Sequence, residues 1–493
     1  HHQLADWVQI LPVLPYFLRT RIQQHPDLQD AAQQAHYQLY LALGHQNLQM
    51  LVSNEPQQRV VGHVIARTEY ANLTSALHHG LRSRQSIGPI VEAIEEFLDQ
   101  TKQQNSRRHL LETAIAADRG SDRDDLRQEL AQLHHLAGMV AQDQRRFEQA
   151  EAHYRQALDI RLEFGDRRGA AVTYHELGIV AQAQRRFEQA EAQYRQSLDL
   201  KLEFGDRHGA AIAYHQLGMV AQDQRRFEQA EAHYRQALDI RLEFGDRHGA
   251  ALTYHQLGMV AQDQRRFEQA EAHYRQALDL LLEFGDRHSA ALTYGQLGMV
   301  AQDQRRLQQA EAHYRQALDI FLEFGDRHSA ALTYHQLGIL AQDQRRFQQA
   351  EAHYRQALDI KLEFGDRYSA ALTYHQLGTL AQEQRRFQQA EAHYRQALDL
   401  LLEFGERHSA ALIFHHLGAL AQDQQQYDKA ATALLKAAAL WHEVYDVWPD
   451  DSLNALRSVR QALAPEDFQH VLQTNINAAL INALNAAIDD NAE

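Results

Sequence analysis

The sequence contains no cysteine, so disulfides, thiolate nucleophiles and thiolate metal sites are excluded. That fits a reducing cytoplasm. It has no run of 18 apolar residues, hence no segment that reads as a membrane span. No secretory signal peptide is visible. Basic residues are outnumbered, 49 against 65 acidic, for a net charge of −16, which argues against a nucleic-acid footprint. Proline is scarce, with 7 in the chain, and glycine and proline fall mostly at expected helix ends. Strand-like alternation of apolar and polar residues is missing, which points to an all-α chain. The chain opens His1-His2 instead of with methionine and reads as an excised piece, those two histidines as tag remnants.

What is present in abundance is repetition. Gly245 to Phe284 matches the sequence 40 residues before and after it almost letter for letter. The period holds without insertion from about Gln128 to Tyr445 and gives eight copies. A period of this size marks a solenoid, which can lengthen where a compact domain of 493 residues would split. Each copy reads as two helices. In the first, Ala250, Tyr254, Leu257, Gly258 and Ala261 share one face. In the second, Ala270, Tyr274, Ala277, Leu278, Leu281 and Leu282 make a wider apolar arc, suited to touching both its partner and the next copy. Gly258, Ala270 and Ala277 allow close approach, and Tyr254, Phe267 and Tyr274 fill the space around them. Asp263-Gln264-Arg265-Arg266 is the turn within a copy. Gly285 suits the left-handed C′ position and Asp286 the next N-cap. The position occupied by Arg161, Lys201, Arg241, Leu281, Phe321, Lys361 and Leu401 takes charge and apolar groups alike, and so reads as largely surface.

Tyr254, Leu257, Gly258, Phe267, Ala270, Tyr274 and Ala277 resemble the tetratricopeptide-repeat signature in identity and spacing. Two features depart from it: Ala261 stands where the family often has an aromatic, and the second helix runs on into LEFGDR. This longer form is similar to the repeats of cell-polarity adaptors and many bacterial regulators. The resemblance implies a right-handed superhelical α-solenoid of eight helix pairs over residues 128–447, with helical caps.

Before the copies, residues 1–124 form a helical region. Gln3 to Ile22 reads as short helices or a turn around Pro12 and Pro15. Helices are expected over Leu28 to Leu43, Val60 to Leu81 and Ile87 to Thr101, and Arg107 to Ala117 looks like a decayed repeat. Ile10 to Arg19 and the pattern Glu69, Asn72, Leu73, Ala76, Leu77 resemble the linker after the ATPase core of bacterial STAND signal-transduction ATPases, the NB-ARC-like class. The plainer reading is a capping helix with Asn72 as an N-cap. The phosphate loop of such ATPases is absent, so the resemblance implies the sensor portion, with an ATPase upstream in a longer protein. After the copies, residues 448–493 read as a helical cap: Trp448 to Asp451 breaks the helix, Ser452 to Leu463 and Pro465 to Asn475 are helices, and Asp489 to Glu493 is an acidic tail.

The 31 histidines raise the question of metal or catalysis. His248 and His255 are seven apart, two turns along the helix, whereas chelating pairs lie three or four apart. His175-Glu176 begins a zinc-protease pattern that fails at Ile179. No nucleophile elbow or Ser/His/Asp order is readable. The expectation is a non-enzyme without metal or cofactor, its histidines solvated and multiplied by duplication.

In tetratricopeptide repeats the first helices line a concave groove. Leu252, His255, Met259, Gln262 and Arg266 lie opposite the core stripe, with Asp263 beside them. The expected site therefore comprises His215, Gln222, Asp223, His255, Met259, Gln262, Asp263, Gln302, Asp303, His335, Gln342, Asp343, His375, Gln382 and Glu383, gripping an extended protein or peptide segment. Ala183, Gly295, Thr379, Glu383 and Ala419 interrupt these ladders. Two kinds of protein meet this description: the sensor of a STAND ATPase, or a free-standing scaffold. With histidines titrating near 6.5, the ladders are expected to charge and repel near pH 5.

Overall fold

The computed structural model describes residues 26–118, 123–475 and 478–490. Gln3 to Ile22 and the last three residues of the acidic tail lie outside them. The chain divides into two compact units, His1–Asp246 and Arg247–Glu493. Among the described residues every regular element is a helix, and the helices pair as an α-solenoid.

The first unit opens with α1 (Pro26–Leu51), α2 (Pro56–Ser83), α3 (Gly88–Gln100) and α4 (Gln104–Asp118). The proline at the start of α2 sits where a missing N–H costs nothing. Tyr37, Leu73, Leu77, Ile90, Ile94 and Leu111 build their common core. Asn72 is not a cap. It lies within α2 and donates to Glu69 at 2.7 Å, and the same carboxylate accepts from the Tyr40 hydroxyl at 2.6 Å. Arg107 is buried on α4; it pairs with the buried Glu95 and donates to Asp99 at 2.6 Å. Three helix pairs follow, the first made of α5 (Asp124–Asp143) and α6 (Phe147–Glu163).

The second unit holds five pairs, from Arg247–Asp263 with Phe267–Glu283 to α19 (Arg407–Asp423) with α20 (Tyr427–Tyr445). Its end is α21 (Asp450–Ala462), α22 (Pro465–Asn475) and α23 (Ala478–Asp490), the last unexpected from sequence. These helices share one core through Leu434, Leu435, Leu456, Phe468, Leu472 and Leu484.

Within a copy, the spacing of small and large residues dictates the packing. A Cβ added to Gly258 would stand 2.6 Å from the Tyr274 ring, so only glycine permits that approach. The turn is reversed by Arg265 at φ 57, a left-handed residue that sequence alone conceals. Gly285 does the same at φ 73, and Asp286 then caps the next helix by accepting from the Ser289 N–H at 3.0 Å. Thr253 and Val260 are buried beside the expected stripe, whereas Leu282 is exposed.

One expectation reverses. The position read as surface is core: Leu281 is 1 % exposed, Phe321 3 % and Lys361 4 %, and Arg161 and Arg241 are buried too. These long basic side chains reach into the seam between successive first helices. Arg161 donates to the Gly169 carbonyl at 2.9 Å, to Gln132 at 2.8 Å and to Thr173. Lys361 donates to the Thr373 hydroxyl at 2.9 Å and to the Ser369 carbonyl at 3.3 Å. The sequence pattern shows a charge; it does not show the polar groups waiting in the seam.

Candidate functional site

The first helices carry two kinds of expected site residue, and the structure separates them. The histidines are drawn inward. His255 packs its ring 5.3 Å from Tyr274 and meets the Thr293 hydroxyl at 3.1 Å. His335 repeats this with Tyr354 at 5.6 Å and Thr373 at 3.2 Å, and His215 lies 5.3 Å from Tyr234. Burial drives the imidazoles of His215, His255 and His335 down to about 4, and nearby Arg241 and Lys361 push the first and third the same way. His375 is also held below the ordinary histidine value by burial. The expected ladder of charge at pH 5 is therefore not there for His215, His255 and His335: these three rings are neutral at that pH because ionisation would strand a cation among helices. Nor are they solvated groups.

The histidines one turn into the first helix have a different partner. His248 meets Asp286 and His288 meets Asp326, each at 3.0 Å, so each contacts the N-cap carboxylate of the following copy. A spacing of 38 residues, one period less two, signals this pairing in the sequence once the 40-residue period is known.

At the far end of four of the first helices, glutamine and acid form a relay. The buried Tyr354 hydroxyl donates to Gln342 at 2.9 Å, and the other end of that amide donates to Glu383 of the next copy at 2.6 Å. Tyr394, Gln382 and Asp423 repeat it at 2.9 and 2.9 Å, and Tyr314, Gln302 and Asp343 at 3.0 and 3.5 Å. In the first unit Tyr194, Gln182 and Asp223 do so at 3.1 and 3.0 Å. The tyrosines of the fourth and third copies, Tyr274 and Tyr234, donate to Gln262 at 2.9 Å and to Gln222 at 3.0 Å. Where the relay is complete, at Gln182, Gln302, Gln342 and Gln382, the glutamine amide is spent on the fold, with both ends used. Asp223, Asp263, Asp303, Asp343 and Glu383 are exposed, and of these Asp223, Asp343 and Glu383 accept from a glutamine of the preceding copy. Met259 is half-buried between the two sets. Within the second unit the arrangement can present carboxylates from successive first helices, which also carry the exposed Leu332, Leu372 and Leu412.

Among the described residues no three His, Asp or Glu side chains converge to hold a metal ion, and no helix is long and apolar enough to cross a membrane.

Comparison with known proteins bears on the copies. A tetratricopeptide-repeat family model matches residues 129–203, 209–283 and 289–363, and a second tetratricopeptide-repeat model matches 370–408, together more than half of the chain. A search of curated protein sequences finds no match. Solved structures of similar fold include a STAND signal-transduction ATPase with a tetratricopeptide-repeat sensor from Pyrococcus horikoshii. It is 12% identical, with 84% of this chain and 74% of that one covered and a TM-score of 0.48. The aspartyl phosphate phosphatase F of Bacillus subtilis is 14% identical over 72% of this chain and 94% of that one, TM-score 0.48. The apo quorum sensor NprR of B. thuringiensis is 12% identical over 70% and 100%, TM-score 0.47.

Proposed function

The chain belongs to the tetratricopeptide-repeat family, and from that premise we propose that it is a non-catalytic module holding an extended, basic segment of a partner protein on the face of its first helices. The observation that carries this is the relay. Buried Tyr354 fixes Gln342, which fixes Glu383, so an exposed carboxylate is held in place rather than left to wander. A pre-set acceptor loses less side-chain freedom when it meets a lysine or arginine than a free one does. Neighbouring helices pack about 8–10 Å apart. A chain in the extended polyproline II form advances roughly 3.1 Å per residue and returns to the same face every third residue. A basic residue at every third position therefore matches one carboxylate per copy.

In this reading the exposed acids of the second unit, Asp303, Asp343, Glu383 and Asp423, contact the partner directly, and Gln302, Gln342 and Gln382 position the last three. His255, His335 and His375, with Met259, shape the floor. In the first unit Asp223, positioned by Gln182, stands in the same relation to its own helix. The net charge of −16 favours the same partner by long-range attraction.

We place the module as the ligand-sensing part of a longer STAND-type signalling ATPase, working in the cytoplasm. Support comes from the pattern Glu69, Asn72, Leu73, Ala76, Leu77 on α2, whose apolar members are buried and whose polar pair holds Tyr40. The alternative is a free-standing scaffold, and a phosphate-loop motif encoded upstream in the same gene separates the two.

The test is an array of extended peptides with lysine at every second, third or fourth position, probed with the wild-type chain and with the combined variant Asp343→Asn, Glu383→Gln, Asp423→Asn. Preference for the three-residue spacing, lost in the variant, supports the reading. Equal binding by the variant contradicts it.

A further inference from the structure

The eighth copy departs from its predecessors at several positions, and where a group of them meet a pocket opens. It has a volume of 410 Å³ and lies between the second helix of copy seven and both helices of copy eight. Its apolar floor includes Leu398, Phe414, Leu417 and Leu420.

The cause is a set of local replacements. In copy seven the Tyr374 ring is covered by His393, stacked at 6.1 Å, and in copy six Tyr334 is covered by His353 at 6.0 Å. In copy eight Phe414 takes the tyrosine's place and Ala433 the histidine's, so no histidine stacks on the ring. Leu417 is half-buried, whereas its counterparts Leu337 and Leu377 are each 3 % exposed. A second cover is missing as well. Arg346 reaches Glu311 at 2.5 Å and Arg386 reaches Glu351 at 2.9 Å, each across the seam between copies. Gln426 stands where the next arginine would be. Glu391 pairs with Arg395 of its own helix at 2.6 Å, and its side chain is 34 % exposed against 19 % for Glu351. At the same rim, Lys429 and Lys436 replace glutamines of copies four to seven, and the Lys436 ammonium stands 5.7 Å above the Phe414 ring.

Loss of two covering side chains and gain of two cations fall on one lining. We propose that this pocket binds a small organic carboxylate with an aromatic or branched apolar body. The body lies on Phe414 and Leu417, and the carboxylate meets Lys429 and Lys436. Pockets of roughly 300–1,000 Å³ with an apolar lining and a few convergent polar groups suit ligands of this class. The site lies on the side of the second helices and does not depend on the peptide-binding reading.

Calorimetric titration with 4-phenylbutyrate tests it, with 4-phenylbutanamide and 4-phenylbutylamine as charge controls. The acid should bind more tightly than the amide, and the amine most weakly. Ala433→His restores the residue of copies three to seven and should weaken the acid at least tenfold. Lys436→Gln, an exposed change that folding tolerates, should bring the acid to the level of the amide while leaving amide binding unaltered. Equal binding of acid, amide and amine overturns the proposal, as does unchanged binding in Ala433→His or no binding of the acid by the wild-type chain.

Discussion

Replacing the buried Lys361 by leucine should stabilise the protein. The lysine is 4 % exposed, and burial drives its ammonium down from 10.5 to about 8, against the opposing pull of Asp366. A fall from 10.5 to about 8 corresponds to about 3 kcal/mol, by which the fold disfavours the charged form at neutral pH. Leucine occupies the same position in copies four and seven, as Leu281 and Leu401, both 1 % exposed, so the seam accepts it. The bonds lost are those to Thr373 and Ser369. Neither acceptor is stranded, because the Thr373 hydroxyl still donates to the Ser369 carbonyl at 3.0 Å. Their loss costs about 1 kcal/mol. The net gain at pH 7 is then about 2 kcal/mol.

The sign with pH follows from linkage. The folded value lies below the unfolded one, so between about 8 and 10.5 the unfolded chain binds more protons, and wild-type stability rises with pH through that window. The advantage of the leucine variant should be full at pH 7 and shrink to near zero by about pH 10. Urea denaturation of both proteins at pH 7 and pH 10, followed by circular dichroism, reads this difference. A variant that is less stable at pH 7, or whose advantage is the same at both values, would refute the reasoning.

Four further outcomes follow from the packing and the titration. Gly258→Ala drives a methyl to 2.6 Å from the Tyr274 ring and should cost about 1–3 kcal/mol, seen as faster hydrogen exchange in Arg247–Asp263 and Phe267–Glu283. Arg107→Ala leaves Glu95 buried without its cation and should cost about 3–5 kcal/mol, whereas loss of exposed Arg167, 2.5 Å from Glu203, should cost under about 1; paired urea melts compare them. His255 has a folded value of about 4 against 6.5 unfolded, so its contribution is full above 6.5 and lost as pH falls toward 4, at about 1.4 kcal/mol per unit within that window. Melting temperatures should fall over that range while the C2-proton shift of His255 stays at its neutral position at pH 5. Lys361→Leu should also raise the value of His335, which Lys361 helps to depress, and proton NMR measures it.

The period, the paired helices, the glycine that meets Tyr274 and the Gly285-Asp286 hinge were legible in the sequence because each rests on local chemistry repeated eight times. Helix ends matched closely for the same reason: Asp286 caps and Gly285 turns wherever they recur. What misled was polarity. Lys361 and Arg161 carry the signature of a surface, yet a flexible stem lets the charge find Thr373 or Gln132 inside a seam, and only the third dimension places those partners. The histidines erred the same way, since seven-residue spacing says nothing of the tyrosine ring that His255 packs against. Arg265 in a left-handed turn was hidden because no glycine marks it. For the candidate site, the sequence offers a row of residues along the first helices, but not the difference between Gln342, which is spent on Tyr354, and Glu383, which is exposed.

The central claim, that the first helices hold a basic extended segment, is tested most directly by mapping where such a segment lies. Hydrogen exchange is measured for the chain with and without a saturating peptide carrying lysine at every third position. The account predicts slower exchange in the first helices Arg327–Asp343, Arg367–Glu383 and Arg407–Asp423, reversed by high salt. Protection confined to the second helices or to the terminal helices, with these three unchanged, would contradict it.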